Sequence, residues 1–301
     1  MFAKITAFFM TIIIFFAELL GVPVMTEKNI NYYSLSYGEH ERNTLDLCIP
    51  KDTEKTGLVL YIHGGGWIAG DKEMYRDTIK EISEKFGVAC AAMNYRYIDE
   101  NIDINDIMDD VDAAMICIKE TGKKHGVDIN RSILTGGSAG GNLSLLYAYS
   151  RAEDSAITPV AVMSDCGPTD LGDDYYFYNP EISQENALGN GDFIAQLLSW
   201  ACGKPITFET RDEAAEEIKK VSPLYYVTEN SVPTIINHGT KDNIVPFRNA
   251  VELDKKLTEC GVEHYFIVYP NSDHGLANDP DCREESMRLF YSFIEEYLLA
   301  K

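Results

Sequence analysis

The sequence is short of basic residues. Against 48 Asp+Glu stand only 26 Lys+Arg, which leaves a formal charge of −22 over 301 residues. Phosphate contacts need a basic face, so this scarcity excludes nucleic acid as an expected partner. It equally disfavours binding to anionic lipid by charge alone. Cysteine offers no framework either. The seven cysteines, at 48, 90, 117, 166, 202, 260 and 282, form no C-x-x-C pair and no zinc spacing. Odd in number and mostly in apolar runs such as Val88-Ala89-Cys90-Ala91-Ala92, they read as small buried hydrophobes. Phosphate loops of the form G-x-x-x-x-G-K-[ST] are absent, as are internal repeats and low-complexity tracts. What remains, 45% hydrophobic and 25% charged, is ordinary globular composition, long enough for one large α/β domain or two smaller ones.

Long apolar runs are rare, with one exception. Ile5 to Leu20 reads ITAFFMTIIIFFAELL, with Lys4 before it and only Glu18 charged within it. That is the length of a signal-peptide core and short for a spanning helix, and no A-x-A-like cleavage site follows. Three readings stand: an uncleaved anchor, a signal peptide, or an apolar helix over the mouth of a functional site. Phe8, Phe9, Ile12, Ile13, Phe16, Leu19 and Leu20 form one apolar face, while Met10, Ile14 and Phe15 make the opposite face apolar too. A merely amphipathic surface helix avoids this, so residues 1–24 are expected to contact a membrane. The expected location is membrane-associated or exported, with a cytoplasmic protein as the alternative.

From residue 30 onward, short β-branched runs alternate with helical patterns. Strands are expected at Tyr32–Tyr37, Thr44–Ile49, Gly57–Ile62, Val88–Met93, Ser132–Thr135, Val160–Met163, Thr234–Asn237 and Tyr265–Tyr269. Between them lie helices at Tyr75–Phe86, Asp103–His125, Gly140–Ala152, Asn249–Glu259 and Glu284–Leu299. Such alternation predicts an α/β fold: a mostly parallel, doubly wound sheet with helices on both faces. Leu171 to Ser222 is too long for a plain connection and reads as a small inserted cap within a domain spanning 25–301. Its Tyr175-Tyr176-Phe177-Tyr178 run reads either as a substrate-pocket lining or as cap packing. The aspartates at 103, 106, 109, 110 and 112 fail the calcium-loop template and read as a solvated helix start. No metal or organic cofactor is expected.

Gly136-Gly137-Ser138-Ala139-Gly140 fits G-x-S-x-G between an expected strand and an expected helix. A serine on so sharp a turn needs small neighbours, and the turn exposes its hydroxyl. The next N–H, that of Ala139, then lies at a helix N-terminus, where it can meet a developing oxyanion. His63-Gly64-Gly65-Gly66-Trp67 follows a strand, and its glycines can turn their amides toward one point. Trp67, beside that loop, is a candidate pocket wall. A nucleophilic serine needs a base and an orienter. Of six histidines, His274 lies in the loop after the last strand, and Asp242 in the loop after the preceding one. Both project from the carboxyl edge of the sheet, where catalytic groups of open α/β sheets gather. Asp273 is the rival acid, but a neighbour in sequence cannot easily orient the ring. His238 reads as structural.

HGGGW, GGSAGGN, HGTKDNIVP and the late S-D-H-G together resemble α/β-hydrolase-fold serine esterases. The likeness is to hormone-sensitive-lipase-like carboxylesterases and to the bacterial acetyl-xylan and feruloyl-esterase-like group. It covers about residues 30 to 299. It implies Ser138 as nucleophile, His274 as general base and Asp242 as its orienter, with oxyanion amides from Gly65, Gly66 and Ala139. It also implies a small-molecule ester substrate, short- to medium-acyl or an acylated carbohydrate. The alternatives are an arylformamidase or serine exopeptidase on the same fold, or an inactive binding module. The apolar N-terminus departs from these relatives, which carry either a cleavable secretion signal or a soluble helical cap.

Overall fold

The structure, a computed structural model, describes residues 13–178, 191–207 and 209–300. Its strands are β1 (Val24–Met25), β2 (Asn29–Ser36), β3 (Thr44–Pro50), β4 (Lys55–Ile62), β5 (Ala89–Met93), β6 (Asp128–Gly137), β7 (Thr158–Asp165), β8 (Thr234–Gly239) and β9 (His264–Tyr269). They make one sheet in the order β1-β2-β3-β5-β4-β6-β7-β8-β9. The pairs from β5 to β9 are parallel, while β1, β2 and β3 join antiparallel at one edge. The two-residue β1 carries no sequence pattern of its own. It exists because Val24 and Met25 find Asn31 and Ile30 across the edge.

Buried strands must be apolar on both faces, and β4 shows why its pattern is continuous. Leu58, Leu60 and Ile62 enter one core, Val59 and Tyr61 the other. The first core is completed by α3 (Ile104–Lys124), α4 (Ala139–Ser150) and α8 (Arg248–Cys260), the second by α2 (Arg76–Phe86) and α9 (Pro280–Phe293). Burial of each such aliphatic side chain stabilises by about 1.5–3 kcal/mol, so the two layers are what hold the sheet flat against its helices. Asn142, within α4, opens the glycosylation pattern Asn142-Leu143-Ser144 but is fully buried, its amide donating to the Pro168 and Val221 carbonyls.

The aspartate-rich start of α3 is a capping box: Asp103 accepts from the Asn105 and Asp106 amides, and Asp106 accepts from the Asp103 amide. It is less solvated than expected. Asp110 is buried against Arg96, and Asp109 and Asp112 pair with Arg151. The expected final helix also differs. It starts four residues early at Pro280, whose missing N–H is no loss in a first turn, and gives way to a π-helix over Ile294–Leu299. All seven cysteines are free.

At the amino end, α1 (residues 13–20) touches the domain through one side only. Ala17 is buried and Glu18 pairs with Arg76 at 2.8 Å. Arg76 and Lys72 also meet the fully buried Asp46. Ile13, Phe15, Phe16, Leu19 and Leu20 remain exposed. Among the described residues no helix is long and apolar enough to cross a membrane. Between β7 and β8 run α5 (Asp174–Tyr178), α6 (Gly191–Ala201) and α7 (Ala215–Lys220).

Candidate active site

The turn from β6 into α4 is held by close backbone approach. A methyl built on Gly136 or Gly140 would collide with the Ile62 carbonyl of the neighbouring strand, so glycine is required at both. Ser138 sits between them at φ 56°, ψ −124°, a strained conformation for a non-glycine residue. Its N–H donates to Asp165 O at 2.7 Å, which ties the turn to the end of β7. Its own carbonyl starts α4 by accepting from the Asn142 amide. Partly exposed, the Ser138 side chain looks into an open cleft of about 480 Å³.

The glycine loop after β4 forms the facing wall. Gly65, at φ 110°, could not bear a side chain without striking the Ala69 carbonyl. Its own carbonyl accepts from Ile68 and Ala69, turned back into the loop. Gly64 and Gly65 line the cleft; Gly66 and Ala139 are not among its lining residues. What anchors this loop was not visible in the sequence. His63 Nδ1–H donates to Gly64 O at 2.8 Å, its ring stacks 4.2 Å from Tyr95, and Arg42 Nη2 donates to its Nε2 at 3.2 Å. Arg42 also bonds the Tyr95 and Gly70 carbonyls and covers the Tyr97 ring at 3.8 Å. Burial lowers the His63 pKa to about 4, so the ring is neutral and accepts from Arg42. Arg42 lies in a polar hairpin turn, where nothing in the sequence sets it apart.

Across the cleft, His274 is carried by the loop after β9. Asp279 holds that loop, accepting from Asn271 and from Ser272 Oγ. His274 Nδ1–H donates to Asp242 Oδ2 at 2.7 Å. Asp242 Oδ1 accepts the Ile244 and Val245 amides, each at 2.9 Å. Burial alone would favour the neutral acid. The hydrogen bonds from His238, His274 and the Val245 amide outweigh it and hold the carboxyl well below its ordinary range. Asp273 instead accepts from the Gly275 amide and stays exposed. Ser138 and His274 line the same cleft without a direct hydrogen bond between them. Such bonds are commonly long before substrate binds.

Two expected pocket residues are not among those that line this cleft. Trp67, at a positive φ of 62°, is 5% exposed and packed in the first core. Tyr176 packs against that same core, its hydroxyl buried without a partner. The side chain of Phe177 lies outside the described residues. The rest of the lining comes from segments that no motif marked. Met74, Met163, Leu276 and Met287 supply apolar wall. Asp165, Arg283, Tyr75, Tyr269 and Ser286 supply a polar end. Asn237 donates to Asp165 Oδ1 at 2.7 Å, and burial raises the Asp165 pKa. Burial and the nearby Asp165 push the Tyr75 and Tyr269 phenols up to about 12.

Cys166, His238 and Asp242 bring one donor atom each within 4.8 Å of one another. Hydrogen bonding accounts for the group without an ion: the His238 and Asp242 atoms are already donor and acceptor, and burial raises the Cys166 thiol.

Residues 45–257 match the BD-FAE family. The chain belongs to the BD-FAE family. Relatives of this BD-FAE member include "Probable carboxylic ester hydrolase LipM" of Mycobacterium tuberculosis, 27% identical over 72% of this chain and 49% of that protein. A second is "Probable isoprenylcysteine alpha-carbonyl methylesterase ICME" of Oryza sativa, 27% identical over 80% of this chain and 57% of that one. The chain thus spans about half the length of the curated relatives it matches. Among solved structures, a truncated carbohydrate esterase from gut microbiota superposes with a TM-score of 0.70 at 22% identity, covering 92% of this chain and 99% of that one. Inhibited esterase B from Lactobacillus rhamnosis superposes with a TM-score of 0.67 at 20% identity, covering 97% and 95%. The BD-FAE chain therefore has the α/β-hydrolase fold.

Proposed function

We propose that the protein is a serine carboxylic-ester hydrolase with Ser138 as nucleophile, His274 as general base and Asp242 as its orienter. The observation that carries this is the 2.7 Å bond from His274 Nδ1–H to Asp242, which frees Nε2 toward the cleft that Ser138 enters. Ser138 Oγ attacks the ester carbonyl as its proton passes to His274 Nε2. The tetrahedral oxyanion is met by amides of the glycine loop, Gly65 and Gly66, and by that of Ala139. The proton then goes to the departing alcohol, and water, activated by the same histidine, hydrolyses the acyl-enzyme.

The lining supports a reading of substrate size and polarity. The methionine wall suits a short or medium acyl chain, while the Asp165, Arg283 and tyrosine end suits a hydroxylated alcohol, as in an acylated carbohydrate. The test is a fluorophosphonate probe, which labels only an activated serine, combined with a series of acyl lengths on aliphatic and sugar alcohols. Wild type should be labelled at Ser138. Ser138→Ala should fold normally, resist labelling and lose on the order of 10⁶ in kcat, the loss known for a triad serine. Labelling elsewhere, or a faster residual rate, would reject the assignment.

The second part of the reading is that residues 1–24 contact a membrane beside the hydrolase unit of residues 25–301. The exposed Phe15, Phe16, Leu19 and Leu20, clear of the Ala17 and Glu18 contacts, support it. The segment meets the domain through Ala17, one partly buried ion pair and Val24 of β1, so a chain starting at Met25 should fold with only a modest loss of Tm. That chain should stay in the supernatant with neutral lipid vesicles that sediment the full chain. Equal sedimentation of both would remove the segment from membrane binding.

A further inference from the structure

The acid of the proposed triad is gripped by one side chain that the mechanism above does not use. Asp242 Oδ1 is filled by two backbone amides, at 2.9 Å each. Its Oδ2 receives His274 Nδ1–H at 2.7 Å and lies 3.2 Å from His238 Nε2. The same His238 nitrogen is 3.0 Å from Val245 O. Both neighbours of that nitrogen are acceptors, so it carries the hydrogen and is shared between them. The Val245 carbonyl takes the shorter of the two contacts, and Asp242 Oδ2 stands within reach of the same N–H beside its bond from His274.

His238 is built to hold still. It lies at the end of β8, is 1% exposed, and meets the Phe247 ring edge-on at 5.9 Å. Its spacing four residues before Asp242 lets one strand end and the loop it feeds close on each other. We propose that His238 is a positioning residue for ester hydrolysis: its Nε2–H sets the plane of the Asp242 carboxylate and tempers the basicity of Oδ2. The inference rests on the reading of Ser138, His274 and Asp242 as the working triad.

The chemical consequence has a sign. When Ser138 attacks, its proton moves to His274, and Asp242 must stabilise that charge without taking the proton. A second donor on Oδ2 spreads the negative charge and keeps the proton on the imidazole. Remove it and the carboxylate swings more freely, which lowers kcat. It also becomes a stronger base, which holds the histidine protonated to higher pH and moves the acidic limb of kcat/KM upward.

Three variants read this out. His238→Phe keeps a ring against Phe247 and loses the donor; His238→Leu does the same if the larger ring is not accommodated; His238→Gln retains an N–H at similar reach. For a soluble acetyl ester, the phenylalanine or leucine variant should lose about 10–100-fold in kcat, the range for outer partners of an active group, with KM nearly unchanged. Its acidic limb should shift to higher pH, and fluorophosphonate labelling of Ser138 should slow in parallel. His238→Gln should recover most of the rate and return the limb to its wild-type position. Wild-type rates in all three, or equal losses in all three with an unmoved limb, would overturn the proposal and leave a packing role. Labelling of wild type at Ser138 keeps the triad reading standing in either case, and its absence rejects that reading separately.

Discussion

Asp242 and Asp273 differ by what surrounds them, not by what they are. Both stand within a loop at the carboxyl edge of the sheet, but only Asp242 turns toward the histidine ring. Asp273 spends an oxygen on the Gly275 amide two residues on, a local bond that any aspartate can make. Asp242→Asn would present an amide to His274 Nδ1 and favour the wrong tautomer, costing about 10⁴ in kcat. Asp273→Asn keeps an acceptor for Gly275 and should cost less than about tenfold, well short of a lost orienter. Comparable losses in steady-state kinetics of the two variants would sink the assignment. The pairing was legible as a chain order, Ser138, Asp242, His274. That His238 also reaches Asp242 was not, because a histidine ending a strand has the same pattern whether it bonds a carbonyl or a carboxylate.

At the scale of elements, the described part of the β7–β8 connection braces the acid loop. Tyr175 Oη–H donates to Asn243 O at 3.0 Å, and Asp173 meets Arg248 at the start of α8. Tyr176 turns inward instead, against the first core, with its hydroxyl buried and unpaired. Removing a buried hydroxyl that lacks a partner relieves a desolvation penalty of about 1–3 kcal/mol. Tyr176→Phe should therefore be neutral or raise Tm, while Tyr176→Ala, which opens a cavity, should cost about 3–5 kcal/mol. Thermal melts check both. The alanine variant should lose activity alike across acyl lengths; a shift in preferred chain length would show instead that Tyr176 touches substrate. Aromatic residues in a run of four look the same in sequence whether they pack inward or line a pocket, which is why the two readings could not be separated there.

For the whole molecule, the excess of carboxylates makes acid the stress to watch. His63 is the group whose contribution is lost first as pH falls. Its folded pKa, lowered by burial to about 4, lies below its unfolded value of 6.5. The unfolded chain thus binds a proton more readily than the folded one. Its contribution is fully present above pH 6.5 and drains away as pH falls toward 4, by roughly 3 kcal/mol in all. Urea unfolding at intervals from pH 7.5 to 4.5 should show stability falling with uptake of one more proton on unfolding. His63→Gln, less stable at neutral pH, should flatten that window. An unchanged slope in the variant would mean other groups carry the acid sensitivity. Asp242, held low by its donors, adds its own loss only further into acid.

Local pattern was enough for whatever depends on local chemistry. The β-branched runs between helical repeats specified a parallel sheet buried on both faces. Glycines at 136 and 140 specified a turn that no larger residue could make, and the motif order specified which histidine and which acid to consider. The two-residue β1, the π-helix at the carboxyl end and the inward turn of Trp67 were decided by partners distant in sequence. So was the cleft itself. Met74, Asp165, Leu276 and Arg283 come from four segments, each unremarkable alone, and share a wall only because the sheet order sets β6 between β4 and β7. Arg42 illustrates the same division. Its charge was plain in the sequence, but its hold on His63 and the glycine loop needed the hairpin to fold across β5, since contact across a sheet follows register and not spacing along the chain.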